Sequence, residues 1–211
     1  MSQELFDAIL EQFGAGAYET EVRAARAQYF ERLADMREDD PSYERLTQCF
    51  LYWYVIDRPL DGGAETPLQR FAGELERSDP RWRTCAELAA SVHGLFEVLR
   101  LEPGGAQLRE LFTLEPLRVS ERRQLAGLER GDVLEARLVP IGDRLVFASG
   151  AFVHQPRDAG ALIRRAVTRA RQQGRPAPEA LMAQLRALAF RYTDRFRERV
   201  PVEKVYGELA G

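Results

Sequence analysis

Four side chains of this sequence combine the acid, base and cation chemistry that an enzyme site needs. They are Asp57, Arg58, His93 and Arg137. A carboxylate and an imidazole within hydrogen-bond reach can serve as general acid and base, and an arginine can hold an anionic substrate. No spacing motif joins the four residues. An enzyme is therefore a distant alternative, and it requires all four side chains to converge in one pocket.

Other residue types that carry chemistry lack the required spacing. His93 and His154 form no HxH or HxxxH pair, and Cys49 and Cys85 form neither a zinc site nor a disulfide framework. Ser149 lacks the preceding glycine of a nucleophile elbow, and no glycine-rich phosphate loop is present. We predict no catalytic residue, no cofactor and no metal, and we place both cysteines in the core.

The aromatic run before Asp57 predicts a buried helix. Phe50, Trp53, Tyr54 and Asp57 are spaced i, i+3, i+4 and i+7, which places them on one helical face. Large aromatic side chains at this spacing are typical of a core. A carboxylate at a helix C-terminus is unfavourable, so we expect Asp57 to pair with Arg58 or another nearby arginine.

The first part of the chain, residues 1–94, predicts a layer of helices. Three Asp-Pro or Thr-Pro pairs, at positions 40, 66 and 79, supply an N-cap followed by a proline at the first helical position. His93, beside Gly94, is predicted to end a helix. The predicted helices are 2–13, 17–37, a segment from the first of these pairs through Ile56, 67–77 and 80–93.

After residue 94, the spacing of apolar residues changes from the helical period to the alternation that is typical of strands. Residues 95–156 contain five or six short apolar segments bounded by Gly, Pro or Asp, which predict a small antiparallel barrel or a curled sheet. In residues 157–211 the helical period returns, over 158–173 and 179–199, followed by a short amphipathic tail. The predicted fold class is α+β, with the three segments sharing one core.

Several short segments in the middle of the chain have an order and spacing that point to a known region: Trp53, Asp57, Pro59-Leu60, Thr66-Pro67-Leu68, Phe71, Leu95-Phe96-Glu97-Val98, Gly131-Asp132-Val133-Leu134 and Ala136-Arg137-Leu138-Val139-Pro140. They resemble an uncharacterised bacterial region that is often found upstream of a SEC-C zinc motif. The resemblance spans roughly residues 50–155. It implies helices followed by a small β module and no activity. The cysteine cluster of the SEC-C motif is absent, so no zinc role is carried over.

Composition and charge limit the class of protein. A chain of 211 residues with 45% hydrophobic and 30% charged residues is typical of a globular domain. No apolar run reaches the ~20 residues of a membrane span, and the N-terminus has no basic region with a cleavage site. We expect a cytoplasmic protein with no membrane partner.

Charge is distributed unevenly along the chain. Residues 1–100 carry 19 acidic and 11 basic groups, and residues 157–211 carry 6 acidic and 12 basic groups. The basic C-terminal helices either pair with the acidic first hundred residues or contact an anionic partner. The candidate contact residues are Arg164, Arg165, Arg169, Arg171, Arg191 and Arg195.

These features favour a non-enzymatic binding or adaptor protein over an enzyme. The predicted partner is a protein or peptide. The alternative is nucleic-acid binding through the β module and the arginine helices, because small barrels of the OB type bind oligonucleotides. That alternative requires exposed aromatic side chains, and the β segment offers chiefly Phe96, Phe112, Phe147 and Phe152.

Overall fold

The computed structural model describes residues 3–60, 63–121, 125, 127–173, 178–197 and 199–210. Helices precede and follow a group of five strands. The helices are α1 Gln3–Phe13, α2 Glu19–Tyr29, α3 Tyr43–Ile56, α4 Pro67–Gly73, α5 Pro80–Ala89, α6 Gly160–Gln172, α7 Pro178–Phe190 and α8 Val202–Tyr206. The strands are β1 Val92–Glu102, β2 Gly105–Glu110, β3 Pro116–Ser120, β4 Val133–Ile141 and β5 Arg144–His154. The predicted α+β fold with a small barrel is confirmed.

The five strands close into a barrel in the order β1-β2-β3-β5-β4. Four of the five pairings are antiparallel, as the sequence predicts. The fifth, between β3 and β5, is parallel and aligns Val119 with Leu145. An odd number of strands cannot alternate in direction all the way around a closed ring, so at least one pair must run parallel. The predicted small antiparallel barrel is thus confirmed, with one parallel pair, β3 and β5, at its closure.

Two apolar segments that the sequence indicates as separate strands, residues 144–150 and 151–156, are joined in one strand, β5. The register against β4 shifts around Arg137, opposite the extra residues of β5, and Gly150 within them has φ +69°. A β-bulge with a left-handed glycine lets one strand continue past the irregularity. The sequence suggests a break at Gly150 because a glycine between two apolar runs also marks a turn.

Four of the predicted helices end early. The helix predicted to reach residue 77 stops at Gly73, and the one predicted to reach residue 199 stops at Phe190 and is followed by a π-helical turn, Arg191–Arg195. The helix predicted to reach residue 37 stops at Tyr29, and a short 3₁₀ turn, Glu31–Leu33, then packs against α7. The helix predicted to reach residue 93 stops at Ala89. His93 therefore lies in β1, paired with Arg137 of β4, rather than at a helix end.

The three predicted helix starts have different outcomes. Thr66 forms a reciprocal capping box with Gln69, and the Asp79 carboxylate accepts a hydrogen bond from a backbone N–H of α5. The Asp40-Pro41 start was wrong, because the N-cap of α3 is Ser42. The Asp40 carboxylate instead accepts hydrogen bonds from the Arg37 backbone N–H and from an arginine near the C-terminus.

Strand β4 lies between the barrel interior and the helices. Leu134, Ala136 and Leu138 face the interior and join its apolar core. The other face is also covered, since Glu135 and Arg137 are almost completely buried. A strand with both faces covered can hold charged side chains only if they are paired. The helical layer and β4 thus enclose a set of ionised groups.

Candidate functional site

The aromatic helix α3 places Asp57 at the boundary between helices and barrel. Phe50 and Tyr54 are buried and Trp53 is half-buried, so the predicted core helix is confirmed. Tyr52, from another face of the helix, is also buried. Asp57 is the residue that follows the helix, and it forms an ion pair with Arg137 of β4. Asp57 thus pairs with a nearby arginine, as the sequence analysis expects.

Three of the four residues of the enzyme alternative converge, and the fourth does not. Asp57 contacts Arg137, and His93 Nδ1 lies 3.8 Å from Asp57 Oδ2. Arg137 Nη1 also donates a hydrogen bond to Ser91 Oγ at 2.8 Å. Arg58 turns away and pairs with Glu21 of α2. The requirement that all four residues meet in one pocket is not fulfilled.

The converging residues continue into a buried network that we call the charge network, formed by Asp57, His93, Glu135, Arg137 and Arg186. The Glu135 carboxylate lies 3.0 Å from His93 Nε2 and accepts two hydrogen bonds from the Arg186 guanidinium. Burial alone raises the pKa of Glu135, but the Arg186 charge and the contact with His93 outweigh it and lower the pKa to about 2. Glu135 is therefore ionised at neutral pH.

Arg186 connects the charge network to the helical layer. Its guanidinium carbon lies 4.3 Å from the centre of the Tyr29 ring. A desolvated guanidinium over an aromatic face is favourable. Burial raises the pKa of Tyr29 well above its usual value, so the phenol stays neutral. α2, α7 and the barrel thus meet around one ion pair.

The space beside the charge network is too small for a substrate. A cavity of ≈ 10 Å³ is lined by Cys49, Tyr52, His93, Glu135, Arg137 and Ala151. This is about the room that one water molecule requires. Cys49 is buried, and burial raises the pKa of its thiol to about 12, so it stays protonated at neutral pH. The charge network is therefore a buried set of ionic contacts that joins the helices to the barrel.

The predicted arginine site is divided among several intramolecular contacts. Arg195 bonds to the carboxylates of Asp35 and Asp40, at 2.9 and 2.6 Å. Arg191 pairs with Glu208 at 2.9 Å. The alternative in which basic helices pair with the acidic first hundred residues is thus observed for Arg195.

The arginines of α6 are less fully engaged. Arg164 Nη1 lies 3.3 Å from Glu97 Oε1, and Arg169 donates to the Leu209 carbonyl oxygen. Arg165 and Arg171 are exposed, and no ion pair is found for them within the described part of the chain. Of the six candidate residues, the four on α6 lie on one helix, and the other two lie after α7.

The helices cover only part of the barrel. Their main contacts are with β1, β4 and β5, whereas β2 and β3 pack chiefly against neighbouring strands. The outer surface of β1, β2 and β3 carries an arginine face, formed by Arg100, Arg109 and Arg118 with Gln107. Arg100 aligns with Gln107, and Gln107 aligns with Arg118, which places them in one row.

Carboxylates lie beside these arginines and are less exposed than the arginine side chains. Glu102 contacts Arg100 and Arg118, and Glu97 contacts Arg109. The exposed fractions of the Arg100, Arg109 and Arg118 side chains are 65%, 40% and 76%, against 12% for Glu102 and 11% for Glu97. The charge presented to solvent is therefore mainly positive, although the acids hold the arginines in place.

Sequence reasoning missed both the arginine face and the members Glu135 and Arg186 of the charge network. Glu135 had a signal, because a charged residue between apolar residues of a strand must be paired if both faces are covered. No pattern in the sequence indicated the role of Arg186 or the existence of the arginine face. Their roles depend on which strands align and which helix covers them, and the linear sequence does not contain that information.

No family model, curated protein or solved structure matches this chain. The resemblance to the region upstream of SEC-C motifs stays a prediction. Among the described residues, no helix is long and apolar enough to cross a membrane. In that same part of the chain, no group of three or more His, Cys, Asp or Glu side chains is arranged to hold a metal ion.

Proposed function

We propose that this protein is a non-enzymatic, cytoplasmic binding protein whose arginine face contacts an acidic segment of a partner protein. The observation that carries the proposal is the position of Arg100, Arg109 and Arg118 on the part of the barrel that the helices leave uncovered. Arginine is enriched at protein interfaces, and its planar fork suits carboxylates. The buried charge network, by contrast, supports a role in stability.

The arginine face is suited to bind a partner through charge rather than through apolar contact. The exposed large apolar side chains are distributed over several segments, and two of them lie at opposite ends of β1. Scattered apolar residues are normal on a surface and do not favour a hydrophobic interface. The exposed large apolar residues are Trp82, Val92, Leu101, Leu114 and Phe196.

A protein partner is favoured over a single-stranded nucleic acid because the described aromatic rings of the β segment offer little exposed surface for stacking. Phe96 and Phe147 are buried, and Phe112 and Phe152 are half-buried. Proteins that bind single strands combine cations with exposed aromatic rings. Glu102, which pairs with both Arg100 and Arg118, would also repel phosphates, whereas a protein partner can donate hydrogen bonds to it.

Nucleic-acid binding is the second candidate, because of one specific observation. Five-stranded barrels of the OB type bind oligonucleotides on the face of strands 2 and 3, and this is the face that the helices leave uncovered here. Phosphate contacts alone bind weakly and lose affinity steeply with salt. Binding of an acidic peptide to arginines is also screened by salt, so the relative affinity for peptide and nucleic acid separates the two candidates.

The test is fluorescence anisotropy with a labelled glutamate-rich peptide and with labelled single-stranded RNA and duplex DNA, at ~50 and ~200 mM salt. We expect the peptide to bind more tightly than either nucleic acid. The double variant Arg100→Ala with Arg118→Ala should weaken peptide binding about tenfold or more, since two charge-assisted contacts are lost.

The matched control is Arg23→Ala with Arg83→Ala. These arginines have exposed fractions of 75% and 79% and each forms one surface ion pair, so the control changes the net charge equally. Tighter binding of RNA or DNA, lost in the barrel variant and kept in the control, would establish the second candidate. Equal weakening in both variants would reject a specific arginine face.

A further inference from the structure

A second positively charged site lies on α6 and borders strand β1 through the contact between Arg164 and Glu97. A depression of ≈ 480 Å³ is lined by Arg164, Arg165, Thr168, Arg169 and Gln172. Arg165, Thr168, Arg169 and Gln172 are spaced i, i+3, i+4 and i+7, so they follow one face of the helix. None of the described lining residues is acidic.

The concentration of positive charge on α6 has no compensation within the segment. Residues 159–178 contain five arginines and no acidic residue. Like charges one turn apart on a helix are destabilising. An anion bound between these arginines would reduce the repulsion. The positive charge of the site is larger than the single negative charge of one carboxylate could neutralise.

Two of the three arginines in the depression are held in position from opposite sides. Arg164 is anchored to the barrel through Glu97 and the Gly131 carbonyl oxygen, at 3.3 and 3.4 Å. Arg169 is anchored to the C-terminal turn through the Leu209 carbonyl oxygen. Arg165 is exposed between them. Anchored donors lose little conformational entropy when a ligand binds.

We infer that this depression binds a phosphate monoester, with Arg165 as its main ligand and Arg164 and Arg169 beside it. A monoester carries close to two negative charges at neutral pH and presents three acceptor oxygens, which matches a group of guanidinium forks. A phosphodiester carries one charge, and a carboxylate carries one charge on two oxygens. The monoester can belong to a phosphorylated side chain or to a free metabolite, and both share this chemistry.

The test is an NMR titration of the ¹⁵N-labelled full chain with a blocked phosphoserine peptide, with glycerol 3-phosphate and with dimethyl phosphate. We expect saturable shifts at the amides of α6 with both monoesters, and at least tenfold weaker binding of the diester. Monoester binding should weaken from pH 7.5 to 5.5, because the second phosphate pKa is about 6 and the dianion is lost. The tighter of the two monoesters identifies the source of the phosphate.

Arg165→Ala should weaken monoester binding about tenfold or more, because a charge-assisted hydrogen bond is removed. The matched control is Arg171→Ala, which removes the same charge from an exposed position of the same helix outside the depression. Equal weakening by both variants, or equal affinity for the diester, would overturn the inference. The site shares Glu97 with Arg109 of the arginine face, but Arg100 and Arg118 contact Glu102. The Arg100 and Arg118 variant should therefore leave phosphate binding unchanged, which keeps the test independent of the proposed function.

Discussion

At the scale of the residue, Glu135 is the side chain on which most of the buried polar structure depends. It is 1% exposed and lies between Arg186 and His93. Removing one member of a buried ion pair leaves the other charge without compensation in a region of low dielectric constant. The consequence is a large loss of stability, although the net benefit of the pair over two apolar residues is small.

Glu135→Ala should lower the free energy of unfolding by about 3–5 kcal/mol, because Arg186 stays buried without its carboxylate. Urea denaturation at pH 7 measures this change. Glu19→Ala, which removes an exposed carboxylate paired with Arg23, is the control and should leave the midpoint nearly unchanged. If the two variants had equal midpoints, the charge network would not stabilise the fold.

At the scale of the element, the close approach of β2 and β3 depends on a glycine. Gly105 begins β2, and a Cβ atom at this position would lie 2.3 Å from the Val119 carbonyl oxygen of β3. This distance is far inside van der Waals contact, and the obstructing atom is backbone, so the strands themselves must move. Val119 is also the residue through which β3 closes the barrel against β5.

Gly105→Ala should therefore lower the free energy of unfolding by about 1–3 kcal/mol, the usual cost of overpacking. Thermal and urea denaturation both report it. Gly73→Ala is the matched control, because a Cβ atom there meets no atom within 4 Å. In an α-helix that change should be neutral or slightly stabilising. If the Gly105→Ala variant were as stable as the parent protein, β2 and β3 would be able to move apart at little cost in free energy, and the prediction would be wrong.

At the scale of the whole molecule, the acidic first part and the basic last part of the chain meet across the fold. Arg195 bonds to Asp35 and Asp40, more than 150 positions earlier in sequence, and Arg164 contacts Glu97. The hydrogen bond from Arg195 is the largest cause that lowers the pKa of Asp40 to about 2. Long-range pairing of this kind makes stability depend on pH.

The sign of this dependence follows from the lowered pKa of Asp40. The carboxylate is more acidic in the folded state than its usual value of 3.8, so the unfolded chain binds the proton more readily. Its contribution is complete above about pH 4 and is lost as the pH falls towards 2. In Arg195→Ala, stability should be lower at pH 7 and should decline less steeply between pH 5 and 2.

Urea denaturation at a series of pH values measures that slope. Arg171→Ala, which removes a positive charge from an exposed position, should keep the slope of the parent protein. The decline that remains in Arg195→Ala reports the other lowered carboxylates, chiefly Glu135, whose usual pKa is 4.5. An unchanged slope in Arg195→Ala would contradict the assignment to Asp40.

Local signals in the sequence determined the class of fold and most of the elements. The caps at Thr66 and Asp79 begin helices where predicted, because a side-chain acceptor and an N1 proline act within one turn. Phe50 and Tyr54 are buried because helical spacing places them on one face. Segments in which apolar and polar residues alternate predicted the strands and a small barrel, and the structure adds the strand order and register.

Only the tertiary structure decided which charges meet. Asp57, His93 and Arg137 converge and Arg58 does not, because the register of β1 against β4 places His93 beside Arg137 while Arg58 turns towards α2. The arginine face exists because the helices cover one side of the barrel and leave the other open. Electrostatic contacts depend on distance in space, and strand register and helix packing set those distances after the local elements have formed.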